Sequence, residues 1–188
     1  AIYVVSEYSS HQGELWWLAL EEIIRQNDSV KNPYMEGQVL PTRTTAQKYR
    51  AFDKIYWPMR HSNQHHQRIT IRSMAEENDY DIDQLTRNLI MDWDQLKEIN
   101  NSPLVTLGAH TKSHFALSRL TSAEAKSQVT EGLLKMEKEL GEQAEHFSYP
   151  YGSRQCAGPR DFDLLKNLGM KTAVTTRKGV IYDAHDDH

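Results

Sequence analysis

Cysteine is almost missing from this chain of 188 residues, which has only Cys156. A single thiol closes no internal disulfide, a pattern that fits a reducing compartment and is also found in the periplasm. Cys156, after the Gly-Ser-Arg-Gln turn, reads as a bystander rather than a nucleophile. No run of about 18 apolar residues occurs, which excludes a membrane-spanning helix within these residues. Dense runs of Lys or Arg are also missing, and the formal net charge is −4. That balance argues against nucleic acid or an anionic membrane as the main partner. The opening "AIYVVSEYSS" has neither the positive start nor the apolar stretch of a signal peptide. Localisation therefore stays open between cytoplasm and cell envelope, and the sequence does not fix an oligomeric state.

What is present reads as one well-cored globular domain. "AIYVV" is short, β-branched and aromatic, and predicts a core strand that begins mid-fold, with the true start expected elsewhere. "ELWWLALEEIIRQN" places Trp16, Ala19, Leu20, Ile23 and Ile24 at helical spacing. One or both of Trp16 and Trp17 belong to a core on that pattern, although tryptophans can also line a sugar cleft. Residues 29–44 are irregular, with room for a short hairpin. "TAQKYRAFDKIYWPMRH" predicts a helix ended or kinked at Pro58. From His65 to Asn100 the pattern implies two or three further short helices.

After Pro103 the texture changes. "LVTLGAH" predicts a strand entering a loop, and "TSAEAKSQVTEGLLKMEKEL" a helix with Thr121 and Glu124 as a capping box and Gly141 as its stop. "HFSYPYGS" predicts a strand and tight turn, "PRDFDLLKNLG" a helix, and "KTAVTT" a strand. This alternation indicates βαβ units and a parallel sheet or barrel. No internal repeat stands out.

Two short motifs carry chemistry. In "LGAHTKSH", His110 and His114 are four residues apart and follow a strand, where α/β folds build sites. Two imidazoles at that spacing can approach one ion, with Thr111 fixing the local turn. Spacing alone is equally consistent with a solvated loop, since the chain holds nine histidines. In "YPYG", Pro150 fixes φ and Gly152 permits positive φ, so a backbone N–H at Tyr151 can be held toward a cavity as in an oxyanion hole. An ordinary aromatic turn would read the same way. Asp183, His185, Asp186, Asp187 and His188 resemble a metal cluster by composition, but read more simply as a solvated terminus.

In this order, with a capped helix between them, "GAHTKSH" and "FSYPYG" resemble the second and third signature motifs of the polysaccharide deacetylase family, the NodB-like carbohydrate esterases. The resemblance extends over Leu104 to Arg177. It implies a partial, distorted (β/α) barrel, here with a large helical insertion after the first strand. The implied domain is 1–188, truncated at both ends, with the insertion at 12–101 and a core segment at 102–182 carrying the motifs. His110 and His114 would be ligands of a divalent metal, zinc foremost. The Tyr151 N–H would help bind the oxyanion, with Pro150, Gly152 and Thr111 shaping the cleft. The implied reaction removes N- or O-acetyl groups from a polysaccharide or oligosaccharide, with an acetylated carbohydrate as partner.

The chain departs from the family pattern at three points. The Thr-Phe-Asp-Asp-Gly motif, source of the catalytic base and of an aspartate metal ligand, does not occur; it is expected upstream of Ala1. Ser148 stands where an arginine often precedes the Pro-Tyr-Gly turn. No late histidine in a Leu-x-His-like strand supplies a general acid. Two alternatives follow: a NodB-like amidohydrolase acting on a small non-sugar amide, or a degenerate barrel that binds carbohydrate or protein without catalysis.

Overall fold

A computed structural model describes residues 1–179 of the chain. In chain order, strand β1 (Ile2–Val4) runs into the single-turn helix α1 (Ser6–Ser9) and then α2 (Trp16–Gln26). Strands β2 (Ser29–Lys31) and β3 (Val39–Pro41) follow, then α3 (Thr45–His61), α4 (Gln64–Glu77), α5 (Ile82–Leu89) and α6 (Trp93–Asn100). The remainder alternates: β4 (Leu107–Ala109), α7 (Ser122–Leu140), β5 (His146–Ser148), α8 (Pro159–Asn167) and β6 (Thr172–Val174). Cys156 and the rest of "GSRQC" fall between β5 and α8; the thiol is buried. The acidic and histidine-rich terminus containing Asp183, His185, Asp186, Asp187 and His188 lies outside the described residues. No described helix is long and apolar enough to cross a membrane.

These elements gather into two compact units, Ala1–Gln12 with the chain from Ile90 onward, and Gly13–Leu89. In the first, β1, β4, β5 and β6 form a parallel sheet in that order. The register pairs Val4 with Ala109, Ala109 with Phe147, and Phe147 with Ala173. All four strands therefore end at one edge, and the segments that follow them share that edge. The sheet is open, in keeping with a partial, distorted barrel. The core of this unit packs α7 and α8 on the strands through Val129, Met136, Phe147 and Leu165, all essentially inaccessible.

Helix α7 starts where its chemistry dictates. The Thr121 hydroxyl accepts from the Glu124 N–H at 3.3 Å, and the Glu124 carboxylate accepts from the Thr121 N–H at 2.8 Å. Two of the end's orphan N–H groups are thereby satisfied. Strand β4 is shorter than "LVTLGAH" predicts. Leu104 is 92% exposed, because Val105 N–H turns back onto the Ser102 carbonyl at 3.1 Å and delays the ladder.

The second unit is a helical assembly with a small antiparallel hairpin, β2 with β3. Trp16, Leu20 and Ile23 of α2 pack with Ile55 and Met59 of α3 and Ile71 of α4, all buried. Trp16 thus belongs to the core, stacked on Tyr56 with ring centroids 5.1 Å apart; Trp17 is partly buried against the same core. Pro58 does not end α3, which continues to His61. The proline sits on the exposed face near the helix end, where water can satisfy the carbonyl its ring leaves without a partner.

Candidate metal centre

The parallel sheet delivers three loops to one edge: the start of α1 after β1, "HTKSH" after β4, and "YPYG" after β5. The His110 N–H extends the ladder to the Val4 carbonyl at 2.9 Å, and the Tyr149 N–H does the same to Val174 at 3.0 Å. From there the backbone bends sharply. Thr111, His114 and Tyr151 take φ values of 64°, 60° and 64°. Left-handed backbone is uncommon for any non-glycine residue and an outlier for a β-branched threonine. Each such residue costs about 1–3 kcal/mol and persists only where its surroundings over-determine it. Three of them fall within the two motifs.

The bonding around Thr111 shows how it is held. Thr111 is buried, and its hydroxyl accepts from the His114 N–H at 3.0 Å. Its carbonyl accepts from the Ser6 N–H at 3.4 Å, and that of Lys112 accepts from the Glu7 N–H at 2.9 Å. The result places the two imidazoles edge to face, with ring centroids 4.8 Å apart.

His110 has a fixed orientation. Its Nδ1 lies 2.6 Å from the Ser148 carbonyl oxygen, which can only accept, so Nδ1 carries the proton and Nε2 keeps its lone pair. Enclosure of the ring pushes its pKa below the ordinary histidine value, an effect partly opposed by the Ser148 carbonyl. A neutral imidazole with one nitrogen bonded to a carbonyl is the form in which histidine binds metal. His114 is walled by aromatic rings, Tyr151 edge-on at 4.6 Å and Tyr8 stacked at 6.0 Å.

The "YPYG" turn is equally constrained. Pro150 and Gly152 are buried, and Gly152 has φ 60°. A Cβ on Gly152 would lie 2.3 Å from the backbone nitrogen of Thr176. The Thr176 hydroxyl donates to the Tyr151 carbonyl at 2.8 Å, anchoring the turn on the segment after β6. Tyr149 faces the other way: its ring is buried, and burial beside Asp161 pushes its hydroxyl far up, so it stays neutral core.

The structure thus brings together His110, His114, Thr111 and the Tyr151 turn. Their chemistry fits two ligands of a divalent ion, two imidazoles at one loop with the nearer tautomer fixed. Among the described residues no group of three His, Cys, Asp or Glu side chains could hold a metal. Sequence reasoning missed Tyr8 and the carbonyl of Ser148. The signal for Tyr8 is positional, since it follows a parallel strand and must emerge at the same edge as the histidines. The carbonyl of Ser148 carries no signal in residue type.

A family model described as polysaccharide deacetylase matches residues 61–173, which contain both motifs. No curated protein matches the chain. Among solved structures, a deacetylase from Streptococcus pyogenes, PplD, in complex with acetate, is 20% identical over 52% of this chain and 41% of its own, with a TM-score of 0.47. IcaB from Ammonifex degensii is 26% identical over 47% of this chain and 41% of its own, with a TM-score of 0.41. The chain spans less than half the length of either.

Proposed function

The chain belongs to the polysaccharide deacetylase family, and from that premise we propose that it carries part of the active site of a metal-dependent carbohydrate deacetylase. The protein containing it hydrolyses N- or O-acetyl groups on a polysaccharide or oligosaccharide; for N-acetyl groups its class is that of hydrolases acting on non-peptide carbon–nitrogen bonds. The observation that supports this most is the His110–His114 pair, edge to face at 4.8 Å, with His110 held by Ser148.

In this reading His110 and His114 are two ligands of a divalent ion, zinc foremost, and the third, an aspartate, comes from outside the described residues. Bound there, the ion would supply Lewis acidity toward an acyl carbonyl and activate water. The protein's own contributions are distinct. The Ser148 carbonyl fixes the proton of His110 on Nδ1, so that Nε2 keeps the lone pair that would bind the ion. The Pro150–Gly152 turn holds the Tyr151 N–H for the negative charge that develops on the acyl oxygen. Tyr8 and Tyr151 wall His114 and limit its rotation.

The test is acetate release by the full-length protein, with zinc or cobalt, from acetylated chitooligosaccharides and aryl acetates. Release that needs metal and is lost in His110→Ala or His114→Ala is expected. Release from cyclic amides or ureides instead would move the substrate outside sugars. No hydrolysis of any of them would reject the enzymatic reading in favour of a binding module.

A further inference from the structure

The loop between the two histidines is held from behind by one residue of α7. The Lys112 N–H donates to the main-chain carbonyl of Gln128 at 2.8 Å. The Ser113 N–H donates to Gln128 Oε1 at 3.0 Å, and Gln128 Nε2 donates to the Ser113 hydroxyl at 3.2 Å. Two successive loop amides and one buried hydroxyl thus end on a single glutamine. With Thr111 and His114 both left-handed, this backbone has no ladder or helix to join, and its buried N–H groups need another partner.

One helical turn further on, α7 has no side chain where the loop comes closest. A Cβ on Gly132 would lie 2.9 Å from Lys112 N and 2.9 Å from Thr111 C. Gln128 and Gly132, at i and i+4, fall on one face of the helix. That face acts as a mould: a notch admits the loop backbone, and the glutamine fixes its rotation. Because His110 and His114 flank the segment so held, its path sets the distance and angle between their rings.

We propose that Gln128 is a positioning residue for the His110–His114 pair and that Gly132 supplies the notch this requires. The inference rests on the metal reading above. Gln128 acts through the backbone of Lys112 and Ser113.

The experiment is a zinc titration of the full-length protein labelled with 15N-histidine, following the ring nitrogen shifts of His110 and His114. In the wild type both rings are expected to respond together, with one half-saturation point. Gln128→Leu, which keeps volume and helix propensity, should weaken zinc binding by about 10–100-fold, as loss of outer-shell support does, and should separate the two responses. Gln128→Glu, which keeps an acceptor for the Ser113 N–H, should restore the joint response. Gly132→Ala should behave like Gln128→Leu. The metal-free amide spectrum reports whether each variant is folded. Folded Gln128→Leu with zinc binding indistinguishable from wild type overturns the proposal, as does a loss of binding explained by collapse of the whole spectrum. A wild-type full-length protein in which neither imidazole responds to zinc rejects the metal reading itself, and the positioning role with it.

Discussion

The Nδ1 of His110, at the end of β4, sits 2.6 Å from the carbonyl oxygen of Ser148, at the end of β5. This contact ties the two motifs together across neighbouring parallel strands. It also explains how Ser148 can serve the site although its side chain is not the arginine expected at that position. What His110 uses is the main-chain oxygen, which any residue there would present.

Acid should loosen this arrangement in a defined window. Burial lowers the pKa of His110 in the fold, whereas in the unfolded chain it titrates near its ordinary value, about 6.5. Above that value the ring is neutral in both states and the fold keeps its full stability. As the pH falls from there toward the folded value, the unfolded state takes up a proton that the folded state resists, and stability declines. Below the folded value the loss stops growing. Urea midpoints measured across this range should fall with acid in the wild type and less steeply in His110→Gln.

The turn after β5 should tolerate no side chain at its glycine. Gly152→Ala places a methyl 2.3 Å from the Thr176 nitrogen at a residue with φ 60°. The backbone conformation alone costs about 1–3 kcal/mol, and the clash with main chain adds to it. A denaturation midpoint lower by at least that cost is expected. A near-neutral result would mean that the segment after β6 does not pack on this turn.

Much of this fold can be read from residue order, and the reasons for the exceptions are physical. Thr121, Glu124 and Gly141 delimit α7 because caps are local chemistry, and the alternation after Pro103 implies a parallel sheet. Pro58 does not stop α3, because its cost depends on whether the carbonyl one turn back meets water. Leu104 misleads because the Ser102–Val105 turn competes with the strand. At the candidate site, His110, His114 and Tyr151 stand out by residue type and spacing. Tyr8, Ser148 and Gln128 do not, since their roles arise from register and from main-chain atoms. The pairing of Val4 with Ala109 is what carries Tyr8 to His114.

Tyr8 should hold His114 by its ring. Tyr8 is 6% exposed, and truncating a buried aromatic to alanine costs about 3–5 kcal/mol. Tyr8→Phe keeps the stacked face and should keep most of that stability. Proton NMR separates packing from placement. The imidazole resonances of His114 should keep their ring-current shifts in Tyr8→Phe and lose part of them in Tyr8→Leu. Identical His114 shifts in wild type and Tyr8→Leu would rule out the stacking.

Within the helical unit, the two sides of one ion-pair cluster should respond unequally. The carboxylate of Glu14 is 4% exposed and bonds Arg68 and Arg72 at 2.5 Å each, whereas those arginines are 27% and 40% exposed. Arg72 also has Asp83 at 3.1 Å. Removing the carboxylate in Glu14→Gln leaves two cations that already reach water and leaves a neutral group buried. Removing both cations in Arg68→Ala/Arg72→Ala leaves a buried negative charge without them, a change that costs about 3–5 kcal/mol. The double variant should therefore lose clearly more stability than Glu14→Gln. Equal losses at neutral pH would show that the carboxylate is solvated rather than enclosed.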